Sequence, residues 1–191
     1  QVYLDINDWA EWGQTLFTNS SFKETLKTDL YDLGVYPTEN EIYSLMAIST
    51  MAAFETSKDN LTVALYEILK DEEIKTFVLN CDRYEQDIFI EESFRFSSPL
   101  QYTIRINQEP FPIGDITIPS NSRIYLSIAS ANRDPDMFTS PDRFIPNRNA
   151  NDHLSFGGGV HFCLGASIAR QEMRLSIKPM VELLRNYELD P

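Results

Sequence analysis

The sequence predicts a mainly helical domain with a small β portion, and three observations carry that expectation. From Thr38 until well past Lys70 there is neither glycine nor proline, which leaves room for long helix. Residues 101–130, "QYTIRINQEPFPIGDITIPSNSRIYLSIAS", then change texture, with β-branched residues in short alternations between Pro, Gly and Asn turns. Near the end, Ala169, Met173, Ile177, Val181 and Leu184 recur at helical spacing.

Taken in order, the first third reads as helix. Thr38 and Glu41 stand at capping-box spacing just after Pro37, so a helix is expected to open there. The stretch from there past Lys70 suits one very long helix or two abutting ones. Its middle, Leu45 to Phe54, is apolar or small on all sides, which predicts burial through a domain centre. A shorter helix is expected over roughly residues 84–96, "YEQDIFIEESFRF". Small strands fill the β portion between its Pro, Gly and Asn turns. From Asn132 to His153 the Asp-, Asn-, Arg- and Pro-rich composition predicts an ordered coil. The last helix should run from about Leu164 to Arg185, bent at Pro179. Arg170, Arg174 and Lys178 stack on a second face of it.

At 191 residues the chain suffices for one domain with a sizeable core, and a single domain over residues 1–191 is the expectation. A net charge of −13 argues against nucleic acid as the main partner. No apolar run reaches bilayer length and no secretory pattern opens the chain, so no membrane partner is expected. Two cysteines, Cys81 and Cys163, are too few for a disulfide framework, which makes a reducing cytoplasm the default. Beginning at Gln1 and stopping at "NYELDP", the sequence reads as a piece of something longer.

Residues 155–170, "SFGGGVHFCLGASIAR", spend four of seven glycines, three of them consecutive, and one of two cysteines together. Glycines let main chain curl and approach a ligand closely. A cysteine at the mouth of a helix meets free N–H groups and the positive end of the dipole, both of which favour thiolate. Gly157 to Gly159 would let the chain curl beneath the sulfur, Phe156 would shield it, and Gly165 would leave room for a flat ligand above. One thiolate without a partner cysteine is a poor zinc site and a suitable axial ligand for haem iron. A buried structural cysteine beside a flexible loop, or an anion site lacking the usual Gly-Lys-Ser/Thr ending, are the other readings.

The pattern Phe156-x-x-Gly159-x-His161-x-Cys163-x-Gly165 resembles the haem-binding signature of the cytochrome P-450 family. Upstream motifs agree in order. Glu92 and Arg95 resemble the family's Glu-x-x-Arg, and Arg143 in "SPDRF" resembles the arginine that joins them. The resemblance implies a buried charge network fixing the coil under the haem. "AAFETS", residues 52–57, resembles the oxygen-activating motif of the central helix, with Ala53 where glycine is usual. By that resemblance Glu55 delivers protons, Thr56 hydrogen-bonds dioxygen and Ala52 lies at the cofactor. By itself a carboxylate and hydroxyl there also suit the point where a buried helix reaches solvent. His161 and Arg105 match donors to the haem propionates, although a surface histidine and an exposed strand arginine look the same. "ANRDPDMF", residues 131–138, resembles the soluble, bacterial-type branch.

The resemblance implies a partial cytochrome P-450 fold, from the central long helix through the cysteine-ligand loop and the helix after it. It covers about Thr38 to the end. An N-terminal half that roofs the substrate pocket, and a short C-terminal hairpin, are expected to be missing. The implied cofactor is heme b, with Cys163 as metal ligand and Phe156, Gly157 and Gly165 around it. The implied activity is monooxygenation: one atom of O2 enters an apolar small molecule, with electrons from a ferredoxin- or flavodoxin-type partner. Arg170, Arg174 and Lys178 would form a basic dock for that donor, or merely a solvated helix face. Ile48, Met51, Leu100, Tyr102 and Ile104 would line the pocket floor, or simply the core. A peroxide-driven haem-thiolate enzyme and a non-catalytic, partner-activating homologue remain as alternatives.

Overall fold

A computed structural model describes residues 6–149 and 152–187, in two compact units, Gln1–Glu55 and Thr56–Pro191. In the first unit, α1 (Ile6–Phe17) and α2 (Ser21–Asp32) precede the opening of α3 (Glu39–Leu69). The capping box forms as its spacing demands. The Thr38 amide and hydroxyl donate to Glu41 Oε2 at 2.7 and 2.8 Å, and the Glu41 amide donates to Thr38 Oγ1 at 3.3 Å. Lys23 and Lys27 of α2 both pair with Glu39 in the first turn of α3, at 3.2 and 2.7 Å. Ala10, Ile42, Tyr43, Met46 and Ala47 are buried here.

The central helix is one element of 31 residues rather than two. Its middle is not buried. Between Leu45 and Phe54, Met46 and Ala47 are buried, whereas Ile48, Met51 and Phe54 are exposed. An apolar composition states what a helix side tolerates, not what stands opposite it. Burial resumes at Asn60, Ala64, Glu67 and Ile68.

In the second unit, α4 (Glu72–Asn80), α5 (Arg83–Ser97) and α7 (Ala166–Leu183) pack with the end of α3. Their core holds Ala64, Ile68, Ile74, Val78, Phe89, Ile90, Phe94, Phe156, Ala166, Met173, Ile177 and Val181. The sequence reading passed over α4, although Asp71 caps it by accepting from the Glu73 and Ile74 amides. A full capping box between Asp82 and Glu85 starts α5 one residue earlier than expected. At the other end α7 begins two residues later than expected and runs through Pro179. Met173, Ile177 and Val181 are buried as the spacing predicts, Ala166 extends the stripe, and Ala169 and Leu184 are half-buried.

The β portion is two antiparallel pairs. β1 (Tyr102–Ile106) pairs with β4 (Arg123–Ser127), with Ile104 opposite Tyr125. β2 (Phe111–Ile113) pairs with β3 (Ile116–Ile118) as a hairpin between them. Asn121 takes the left-handed turn, φ 57°. A four-residue helix, α6 (Ile128–Ala131), leads into the coil. That coil is present as expected, with residues 150 and 151 outside the described set, as are 1–5 and 188–191.

Candidate functional site

α5 carries the charged centre of the second unit. Glu92 and Arg95, one helical turn apart, are both fully buried. Arg95 Nε and Nη2 grip the two carboxylate oxygens at 2.7 and 2.9 Å, a bidentate pair. Its other donors reach the carbonyls of Asn132, Pro141 and Arg143. All five guanidinium N–H groups are thereby used, which is what a buried cation requires. The pair thus clamps the coil onto the helix.

The expected third member is corrected by the structure. Arg143 offers the network its backbone carbonyl, and its side chain is exposed. Arg148, buried and five residues on, donates from Nε to Glu92 Oε2 at 2.9 Å and from its other nitrogens to the carbonyls of Thr139, Ser140 and Arg143. The coil turns between the two arginines, and that turn puts the second one inside. The motif in "SPDRF" pointed to Arg143 alone, and Arg148 lies five residues further along the same coil.

Asn132, fully buried, joins the coil to the cysteine loop. Its Nδ2 donates to Ser98 Oγ and Ser155 Oγ, and its Oδ1 accepts the Leu154 amide at 2.8 Å. Ser155 Oγ donates on to the Phe94 carbonyl at 2.7 Å. From this anchor the loop curls. Gly157 (φ 69°) and Gly159 (φ 63°) take left-handed angles that side chains resist, whereas Gly158 is extended. The Gly157 amide returns to the Leu154 carbonyl, and the Cys163 amide returns to the Phe156 carbonyl at 2.9 Å. Cys163 is left exposed two residues before Gly165, the residue that caps α7. Phe156 is buried below the loop, its ring 4.6 Å from that of Phe94.

A flat ligand with its own nitrogen donors fits this loop. Val160 and Leu164 are each 97% exposed and Phe162 is 52% exposed, so the thiol sits in an apolar surface. At Gly165 an added methyl would lie 3.9 Å from the sulfur; its absence leaves that flank open. Among the described residues no group of three or more His, Cys, Asp or Glu could hold a metal ion unaided. A macrocycle that brings four nitrogens needs one protein ligand, and Cys163 can be that ligand.

His161 is exposed, in a 3-10 turn at Gly159–His161. Arg105 is exposed on β1, with Nη1 bonded to Thr103 Oγ1 and the Ile104 carbonyl at 3.1 and 2.9 Å. Leu100 and Tyr102 are exposed and Ile104 is half-buried. Thr56 is exposed on α3 in this unit, and Ser57 beside it donates to Glu172 Oε2 of α7 at 2.6 Å. Ile48, Met51, Ala52 and Glu55 lie in the first unit, all exposed.

The basic face of α7 is paired with α5. Arg170 binds Glu91 through Nε and Nη2 at 2.6 and 2.7 Å, Arg174 binds Asp87 at 2.8 Å, and Lys178 donates to the Cys81 carbonyl at 2.6 Å. These contacts tie α7 to α5 and to its start. Sequence reasoning passed over Glu91, although it adjoins the Glu-x-x-Arg pair. Burial alone would raise its carboxyl, but hydrogen bonds from Arg170 and His153 bring it down to about 2.

Comparison with known proteins agrees with this geometry. Residues 86–191 match the cytochrome P-450 family. The chain is 45% identical over 100 residues to cytochrome P-450 119 of Sulfolobus acidocaldarius, covering 52% of this chain and 27% of that one. It is 34% identical over 155 residues to the biotin biosynthesis cytochrome P-450 of Bacillus subtilis, covering 80% of this chain and 38% of that one. Among solved structures, HmtT, involved in himastatin biosynthesis, matches with a TM-score of 0.75 at 31% identity, over 83% of this chain and 40% of its own. CYP109B1 of Bacillus subtilis matches with a TM-score of 0.82 at 25% identity, over 97% and 51%. The chain thus spans well under two thirds of the relatives it matches. Heme b with a cysteine thiolate on its iron is the cofactor of that family. With its cysteine loop, its buried Glu92–Arg95 pair and these relatives, the chain belongs to the cytochrome P-450 family.

Proposed function

We propose that this chain forms the haem-ligating part of a soluble, cytoplasmic haem-thiolate monooxygenase acting on an apolar small molecule. The observation that carries the reading is the exposed Cys163 thiol, set by the Phe156 carbonyl in an apolar, glycine-bounded surface. When bound, haem supplies the oxidising chemistry, with electrons from a ferredoxin- or flavodoxin-type donor. The protein's tasks are narrower. Cys163 provides one electron-rich ligand, and the Glu92–Arg95–Arg148 clamp holds the coil that precedes its loop. His161 and Arg105 supply hydrogen-bond donors for the cofactor's carboxylates. Glu55 and Thr56 hold and move protons at the end of the apolar stretch of α3. Ile48, Met51, Leu100, Tyr102 and Ile104 offer apolar surface to the substrate. No described helix is long and apolar enough to cross a membrane.

The test is optical. Haem added to the purified chain, reduced and exposed to carbon monoxide, should give the long-wavelength Soret band of thiolate ligation. Cys163→Ala should abolish it. A wild-type band at the shorter, non-thiolate position, or a band that survives Cys163→Ala, rejects the assignment.

A further inference from the structure

The loop that carries Cys163 is held by a second, closed circuit of contacts that the function described above does not use. The Ser155 amide donates to His153 Nδ1 at 3.2 Å, so that nitrogen accepts and the ring N–H is at Nε2. That nitrogen faces Glu91 Oε2 at 3.2 Å and donates to it. Both Glu91 oxygens accept from Arg170. The Arg170 guanidinium carbon, in turn, lies 4.5 Å from the centroid of the Phe156 ring, which also packs on the ring of Phe94. The circuit therefore leaves the loop at residues 153–155 and re-enters it at Phe156. Phe156 is also the residue whose carbonyl receives the Cys163 amide. A ring held between a guanidinium and another ring has little freedom, and its backbone shares that restriction.

We infer that Arg170, oriented by Glu91 and His153, is a positioning residue for Cys163. It fixes the Phe156 carbonyl and with it the direction in which the sulfur is presented. The inference rests on the haem-thiolate reading only for its consequence, because the clamp itself exists in the protein alone. His153 is almost fully buried and bonded at both ring nitrogens, which gives the circuit a rigid inner end. Arg170 and Glu91 are about a third exposed, so the outer end can be altered without emptying the core. A neighbouring pair provides the control: Arg174 binds Asp87 across the same two helices, one turn further from the loop.

The experiment measures Cys163 alkylation by iodoacetamide in the folded chain without haem, counted by mass, with buried Cys81 as an internal slow site. Arg170→Gln and Glu91→Gln should speed Cys163 labelling by about tenfold, because the exposed thiol, no longer held in one direction through the Phe156 carbonyl, samples more orientations open to the reagent. Arg170→Lys should not restore the wild-type rate, since lysine loses the fork and the stacking. Arg174→Gln should leave the rate within about twofold of wild type, because its pair lies outside the circuit. With haem added, the same loop variants should move part of the reduced, carbon-monoxide-treated band to the non-thiolate position. Labelling at the wild-type rate in Arg170→Gln, or equal acceleration by Arg174→Gln, overturns the inference. If Arg170→Gln does not fold, His153→Leu, which removes one arm of the circuit, decides by the same comparison. Failure of the wild-type chain to show the thiolate band would reject the functional reading and leave the labelling result intact.

Discussion

Glu91 and Glu92 are consecutive on α5, both bind arginine through two oxygens, and they support different regions. Glu92, inside the coil, is fully buried with Arg95 and Arg148. Glu91, on the side facing α7, is 27% exposed with Arg170 and His153. Successive helical residues point about 100° apart, so two neighbouring carboxylates can serve two separate supports. Burial sets their difference in energy. A dry pair has no water to replace a missing partner, whereas the half-exposed one does.

Breaking the inner pair should give the largest effect. Arg95→Ala leaves Glu92 buried with one cation gone, and should cost about 3–5 kcal/mol of stability. Urea unfolding followed by circular dichroism measures it, and a cost under about 1 kcal/mol would deny the coil its buried anchor. Next comes the contrast between the two coil arginines. Arg148→Ala should cost about 2–3 kcal/mol through charge-assisted bonds to Glu92 and its carbonyls. Arg143→Ala, which removes an exposed side chain, should stay within about 0.5 kcal/mol. The reverse order would restore Arg143 as the partner of Glu92.

The outer pair should respond least in stability but visibly to pH. Glu91→Gln should cost about 1–2 kcal/mol near neutrality. The folded carboxyl lies below its ordinary value near 4.5, at about 2. Its contribution is therefore complete above about 4.5 and disappears as pH falls through about 2. Thermal unfolding of wild type and Glu91→Gln should converge across that window. A gap that stays constant from neutrality to the acid end would mean that the pairing is not what stabilises.

Much of this was legible in the residues. The capping box at Thr38, the helix over residues 84–96, the turn at Asn121 and the glycine–cysteine loop are local: each depends on side chains within a few positions of one another. The Glu92–Arg95 pair was legible for the same reason, being one turn of helix. Arg148 was not, because it reaches Glu92 across 56 residues and competes with Arg143 in the same short coil. The basic stripe of α7 was legible only in part. Its spacing was right, but the carboxylates of Asp87 and Glu91 that neutralise it lie 87 and 79 residues earlier. The exposed middle of α3 shows the same limit, since composition on a helix says nothing of its neighbours.

What the sequence determined by itself was the element types, their caps and turns, and the one thiol set among glycines. These arise from backbone sterics and short-range hydrogen bonds, which act within a few residues. The tertiary structure alone decided which arginine enters the coil, which cations are spent on α5 and which apolar faces are covered. Those outcomes depend on where distant segments meet, and burial makes each choice costly to reverse.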